Sequence, residues 1–508
     1  MRATFMGLET ARSAIAVNQK AQDIVANNLA NTETNGYTRQ RVERASVAVS
    51  SFSSRIGSST IGSSGTGVTA LGVSQIRDSF LDKCFRDEYS TNSGFSQTSE
   101  ILNDILSVFP DGANIKDDSG LVGGLEGLYT NLNKFIQSPT SSSEANLVRT
   151  SFTNLTQVLQ QLNSGLTKVC ERQTENLKTT VDRTNDLFEQ IANLNVSISG
   201  DATIMSNNGN EHFMPNELLD QRNLLLDELS SYGNINVKQN TDGTVNVEMG
   251  GKTVVNKGDF DSLTTTVDEN NYVNVAWRTS GESVSFSGGA IKAYVSVING
   301  RGSNVQSNAE TRVQGIPYYR DRINTFASQL AKVANSTIPQ TFGADGKVAT
   351  YKTLLAGYKA DGTDADVITA GNITVSNEWT NGGAAYIVFN KDENVEDYAQ
   401  QLSNKLFKDS VSFSSYGENY SGTFTNYTID MLGKIGTDVS FNAGRRDATA
   451  TIADDYLSSR DSTSGVQRDE ETADMLIYQK SYQASARMLT VMDEMLDTLI
   501  NRVGRVGL

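Results

Sequence analysis

The sequence predicts a multidomain, mainly α protein with a β-rich outer portion, whose N- and C-terminal helices pair in a coiled-coil-like axial part. Three observations carry that prediction. Both ends hold apolar residues in alternating steps of three and four, the spacing of one helix face. The period falls to two only in the interior. Five prolines in 508 residues leave long helices uninterrupted. A chain of this length suits roughly three domains.

The first helix runs from Thr4 to about Asn31, with one stripe at Leu8, Ala11, Ile15, Asn18, Gln22, Val25 and Leu29 and a second at Ala14, Val17, Ala21 and Ile24. It stops at Asn35-Gly36, where glycine supplies the positive φ of a turn. A short extended stretch runs to about Val49, and the Ser- and Gly-rich residues 50–69 read as a flexible boundary.

From Gln75 to about Gly200 long helices return, marked by Phe80, Leu81, Phe85, Ile101 and Ile105, then by Leu155, Leu159, Leu162 and Leu166 beyond a break near Pro139, and by Ile191, Leu194 and Ile198. Asn216 to Leu229 begins another helix after Pro215. Alternation then takes over: Ile235 and Val237, the Asp242-Gly243 turn, Val245, Val247 and Met249, Gly250-Gly251 and Val254, and finally Val273, Val275 and Trp277. Helical spacing resumes through Ile291 to Ile298 and Ile323 to Val333, whereas Ile373, Val375, Tyr386, Val388 and Phe389 read as strands.

The last helix begins after Ser464-Gly465-Val466, carries Asp469, Glu470 and Glu471 in its first turn, and runs to about Asn501. Its stripe of Met475, Tyr478, Tyr482, Leu489, Met492, Leu496 and Leu499 lies beside another of Ile477, Ala484, Met488, Val491 and Met495. The expected layout is an axial domain of residues 1–50 plus 458–508. A helical bundle of 70–232, 290–340 and 395–457 follows, with β-rich outer elements at 233–289 and 345–394.

Charge and chemistry exclude several functions. The balance of 43 basic against 59 acidic residues gives −16, which repels nucleic acid phosphates and anionic membrane faces, so neither is an expected partner. Cys84 and Cys170 are the only cysteines, too few for a disulfide framework or a thiolate zinc site. The N-terminus holds no signal-peptide stretch and no segment reaches the ~20 apolar residues of a membrane span, so export without a cleaved signal is the expectation.

No catalytic, cofactor or metal residue emerges. Cys84, Cys170 and the sole histidine, His212, sit in or beside helical patterns rather than in a nucleophile-base pattern. Asp469, Glu470 and Glu471 are where the helix dipole favours acids. Gly65-Thr-Gly67 follows a Ser-rich linker rather than a strand, and the Asp361 to Asp366 acids lack EF-hand order.

A pair of double-striped helices covers only part of its apolar surface. Identical neighbours are therefore expected to cover the rest in a ring or helical polymer, with terminal helices that are marginal until assembly. The candidate interface residues are Leu8, Ile15, Val25, Leu29, Tyr478, Tyr482, Leu489, Met492 and Leu496. With them go the polar turn residues Asn27, Asn28, Asn31, Gly36 and Tyr37.

The run Asn27-Asn-Leu-Ala-Asn31-Thr-Glu-Thr-Asn-Gly36-Tyr37-Thr-Arg39-Gln40 resembles the N-terminal motif of the bacterial flagellar axial proteins, the rod, hook and hook-associated family. Ser464-Gly-Val466, Asp469-Glu-Glu471 and Tyr478-Gln-Lys-Ser-Tyr482-Gln-Ala484 are similar to that family's hook-associated branch, as is Asn216-Glu-Leu-Leu-Asp220-Gln-Arg222 inside the chain. The resemblance implies an extracellular subunit of the flagellum joining hook to filament. Its partners would be further copies of itself, the hook protein, a second junction protein adjoining the filament, and an export chaperone on the C-terminal helix. It also implies that the terminal helices line an inner tube. An adhesin with a helical stalk is the alternative, as is an enzyme carried on the β region.

Overall fold

A computed structural model describes residues 3–47, 67–110, 120–207, 215–302, 313–342, 348–388 and 395–502. His212, Gly65, Phe389 and most of the 50–69 stretch lie outside the described residues.

Helices dominate the described residues. They are α1 (Ala3–Ala30), α2 (Ser79–Val108), α3 (Leu121–Gln137), α4 (Ser142–Asn207), α5 (Asn216–Tyr232), α6 (Gly289–Asn299), α7 (Ile316–Ala334), α8 (Asn377–Gly382), α9 (Val395–Phe407), α10 (Phe424–Ser464) and α11 (Arg468–Asp497). The strands pair antiparallel in small sheets. The largest is β3 (Ile235–Gln239), β4 (Val245–Met249), β5 (Lys252–Asn256) and β6 (Asp259–Phe260), in that order. The hairpins are β1 (Gln40–Ser46) with β2 (Val68–Gln75), β7 (Leu263–Val267) with β8 (Val273–Trp277), and β9 (Pro339–Phe342) with β10 (Val348–Tyr351). Two more pair β11 (Leu355–Gly357) with β12 (Ile373–Val375) and β13 (Val411–Ser415) with β14 (Glu418–Gly422).

The chain divides into two compact units. One comprises Met1–Tyr89, Thr184–Ser262 and Ala450–Leu508, the other Ser90–Arg183 and Leu263–Thr449.

In the first unit the β4 residues Val245, Val247 and Met249 bury one face of the sheet, as their alternation requires, together with Val254 and Val255 of β5. Asn195 of α4, itself fully buried, ties the sheet to the helix by donating to the carbonyls of Val245 and Lys257 at 2.9 and 2.8 Å.

The second unit packs Leu125, Leu128, Phe152, Leu155 and Leu159 from α3 and α4, all at 1% exposure or less, and Phe152 meets Trp379 edge-on at 5.6 Å. Here a charged network sits inside the core. Arg322 of α7 is 2% exposed and reaches Asp430 at 2.6 Å and the Tyr318 hydroxyl at 3.1 Å, with its guanidinium 4.5 Å over the Tyr427 ring. Lys434 bonds Glu418 at 2.7 Å, so α7, α10 and the β13-β14 hairpin are joined through charge as well as apolar contact.

Three sequence expectations are corrected. Residues 68 and 69, read as linker, open strand β2, because it gains a partner in β1 that single-strand patterning does not show. Ser458 to Ser464, grouped by sequence with the axial residues 458–508, are the last part of α10, the helix that starts at Phe424. Their hydroxyls bond back into the helix, Ser462 to the Ser459 carbonyl at 2.8 Å, and Arg460 is anchored on Asp227 at 2.7 Å. Tyr386 and Val388 form no strand. Residues Gly383–Tyr386 are a 3₁₀ turn closing α8, held by the Tyr386 hydroxyl on Glu378 at 2.8 Å. The helical signal of Leu155 to Leu166, which continues through Ile191, Leu194 and Ile198, belongs to one long helix, α4.

Both tryptophans, Trp277 and Trp379, lie in the second unit, so their fluorescence follows that unit alone. Arg322→Met leaves Asp430 with only the more distant Lys434, at 3.9 Å, and is expected to cost about 2–3 kcal/mol, less than a fully buried pair because Asp430 is partly exposed. Denaturant unfolding followed by tryptophan emission measures it, and an unchanged midpoint contradicts the role given to Arg322.

Candidate functional site

The two ends of the chain meet. α1 packs along α11, and the same number of residues separates Gly7 from Asn28 on α1 as separates Glu471 from Met492 on α11. Asn28 touches Glu471, and Gly7 is so close to Met492 that a Cβ there would stand 2.7 Å from its terminal methyl. The helices therefore run antiparallel and in step, with glycine allowing the close approach at the far end. The β1-β2 hairpin lies against the pair, with the Arg44 guanidinium 4.6 Å over the Tyr478 ring.

A polar latch closes the other end. Glu471 is 1% exposed and accepts from Arg39 Nε at 2.6 Å and from Asn28 Nδ2 at 3.0 Å. Arg39 spreads its remaining nitrogens to Glu470 at 2.9 Å and Asp474 at 3.3 Å. The acids in the first turn of α11 thus do more than meet the helix dipole: they form one receptor for a guanidinium. Burial works against the Arg39 charge, but Glu471, Glu470 and Asp474 outweigh it and raise its pKa.

Asn28, also 1% exposed, is fully used. Its Nδ2 donates to the Gln40 carbonyl at 2.9 Å, and its Oδ1 accepts from the Gln40 amide at 3.1 Å and the Tyr37 hydroxyl at 2.9 Å. Burial, then Asp220, Glu217 and Glu471, push the Tyr37 phenol up to about 12, so it remains a donor. Asn27 donates to Tyr37, and Asn31 bonds back to Asn27. Gly36, at φ +79°, makes the turn, and a Cβ there would collide with Leu224 of α5 at 2.5 Å.

The α5 motif is the other half of this arrangement. Asp220 accepts from the Thr38 amide at 3.3 Å and from Gln75 Nε2 at 2.8 Å, and Asn216 donates to the Val73 carbonyl at 3.4 Å. Burial raises the Asp220 pKa against those bonds. Beneath them runs an ion ladder. Arg77 pairs with Asp82 at 2.6 Å, and Asp227 is held between Arg86 and Arg460, each at 2.7 Å. Burial pushes the Asp227 carboxyl up, but Arg86 and Arg460 pull it further down, below the ordinary carboxylate range.

The apolar candidates divide by exposure. Val25 is buried, Leu8, Ile15, Tyr478, Leu489, Met492 and Leu496 are half-buried, and Tyr482 and Leu29 lie at the edge at 36% and 41%. The neighbouring α11 stripe is open: Ile477 57%, Met488 46%, Val491 47% and Met495 52%. Leu499 and Ile500 beyond it are also exposed. Arg39, Gln40, Gln75, Asp220 and Glu471 were not singled out as site residues by sequence, although most of them lie inside the quoted motifs. Among the described residues no group of three His, Cys, Asp or Glu could hold a metal, and no helix is long and apolar enough to cross a membrane.

Three sequence models match the chain: the flagellar hook-associated protein FlgK helical domain over residues 113–351, the flagellar basal body rod FlgEFG protein C-terminal over 457–502, and the flagella basal body rod protein over 8–38. The chain is 28% identical over 537 residues to flagellar hook-associated protein 1 of Bacillus subtilis (strain 168), covering 100% of both. It is 22% identical to the protein of that name from Salmonella typhimurium (strain LT2), over 97% of this chain and 98% of the relative. A solved structure, the flagellar hook junction protein FlgK from Burkholderia pseudomallei, aligns at 17% identity and a TM-score of 0.41, over 54% of this chain and 46% of that one.

Glu471→Ala strips both Arg39 and Asn28 of a buried partner and is expected to destabilise the latch by about 2–4 kcal/mol. Amide exchange in residues 24–30 and 471–478 then quickens by roughly 30- to 1,000-fold. Exchange as slow as in the native chain would show that the apolar seam alone holds the pair. Because the folded Asp227 pKa lies below its unfolded value, the ladder's stabilisation is complete above about pH 4 and fades as pH falls through the folded value. Melting curves taken from about pH 7 down to about pH 3 should show that decline, and a flatter one in Asp227→Asn.

Proposed function

We propose a structural role for this chain from one premise: it belongs to the flagellar hook-associated protein family. It is a subunit of the bacterial flagellum, forming the junction between hook and filament by helical polymerisation through its terminal helices. The observation that carries this reading is the open stripe of α11. Latched to α1 along one face, the helix leaves Ile477, Met488, Val491 and Met495 uncovered beside it. A continuous apolar row of this kind is what an assembly interface needs and a free surface avoids.

The same stripe supports the finer partners. Further copies of this chain cover it in the assembly, the hook protein and a second junction protein adjoin it at either side, and an export chaperone masks α11 beforehand. The subunit works at the flagellum by packing rather than catalysis. In the domain layout that fits this role, residues 1–50 and 458–508 form the inner tube. Residues 70–232, 290–340 and 395–457 form the helical part, and 233–289 and 345–394 the outer β elements.

Replacing Ile477, Met488, Val491 and Met495 together by serine leaves the seam with α1 intact and is expected to abolish filament growth on otherwise normal hooks. Electron microscopy of the cell surface reads assembly, and protein in the medium separates failed assembly from failed export. Normal filaments in that strain would sink the junction reading.

A further inference from the structure

Among the described residues, α1 packs along α11, β1 and β2, and α11 packs along α1 and its own final turn. Those four elements are bound to one another by the latch, by Arg44 over Tyr478, and by Ser13 at the start of β2. Their bonds to the rest of the first unit converge at the latch end, where the chain leaves these elements at residues 75–78 and returns at 464–467, beside the 36–39 turn that joins α1 to β1. One side chain joins that turn to the first crossing: Asp220 takes the Thr38 amide and Gln75. The second crossing is tied to the same turn by the Arg39 amide on the Ser464 carbonyl at 2.8 Å. Leu224, one turn beyond Asp220 on α5, backs Gly36. Next to this joint lies a cleft of about 510 Å³ between the 31–38 turn, α5 and the end of α10, with Asn35, Leu224, Leu457 and Asp461 among its walls.

We propose that the α1-α11 hairpin is a rigid lever and that Asp220, backed by Leu224, is the positioning residue that sets the angle at which it leaves the unit. The cleft is the space into which the lever tilts. The geometry amplifies small changes: α11 is 30 residues, about 45 Å at 1.5 Å per residue, so a tilt of about 5° moves its far end by about 4 Å. The fixed angle is what presents the open α11 stripe to the next copy in register, and in that consequence the inference rests on the self-assembly reading above. Asp220 suits the role because its carboxylate holds both the 36–39 turn and the 75–78 crossing, which a single backbone bond cannot do, and because it is 8% exposed and held away from competing water.

The test uses the full chain as a free subunit, with Cys84 and Cys170 replaced by serine and spin labels on Gln190→Cys of α4 and Gln479→Cys of α11, both exposed. Double electron-electron resonance then reads the distance across the joint independently of assembly. The native chain should give one narrow distance. Asp220→Ala should shift or broaden it by several ångströms, Leu224→Ala should do so to a lesser degree, and Asp220→Asn, which keeps an acceptor for Thr38, should restore most of it. Circular dichroism confirms that helix content is unchanged. A distribution in Asp220→Ala identical to the native one overturns the positioning role, and a native distribution as broad as an unfolded chain's overturns the rigid lever. A shifted distance with normal filaments would separate the lever, which stands, from its place in assembly, which falls.

Discussion

Glu471 is the point on which the ends of this chain depend. A carboxylate at 1% exposure is costly unless its charge is met, and it is met by Arg39 at 2.6 Å and Asn28 at 3.0 Å, residues far from it in sequence. Without that contact the two terminal helices have an apolar seam but nothing that fixes their register, and antiparallel helices with small residues at the seam can slide. The latch selects one register, and Gly7 beneath Met492 is its consequence at the far end.

Register in turn decides which surface is left over. Each terminal helix carries apolar residues on too much of its circumference for one partner. Pairing covers Val25 and half-covers Leu489, Met492 and Leu496, while Ile477, Val491 and Met495 stay in solvent. A polar latch at one end and an open stripe along the helix are complementary devices. The first costs little to solvate before folding and makes the pair specific; the second supplies non-directional adhesion for neighbours.

Much of this was legible in the sequence. The three-four spacing located α1 and α11 to within a few residues, Asn35-Gly36 marked the turn that adopts φ +79°, and alternation found β3, β4 and β8. These signals are local, written by neighbours on one element. What was missed has another origin. β2 is ordered by pairing with β1, Ser458 to Ser464 stay helical because Arg460 finds Asp227, and Tyr386 turns because Glu378 accepts its hydroxyl. The motif Asn216 to Arg222 was visible as a pattern, but nothing in its spacing says that Asp220 holds Thr38.

The sequence by itself determined that both termini are double-striped helices, that the interior changes from helix to strand and back, and that the charge balance repels phosphates and anionic membranes. Periodicity and composition are properties of the chain and need no fold. Only the tertiary structure decided which stripe pairs and which stays open, and that Asn28 is spent inside the chain. It also showed that the acids of α11 serve Arg39. Those outcomes depend on burial, which raises the cost of an unmet charge or hydrogen bond and so chooses, among many helix pairings of equal apolar merit, the one in which Glu471, Arg39 and Asn28 find their partners.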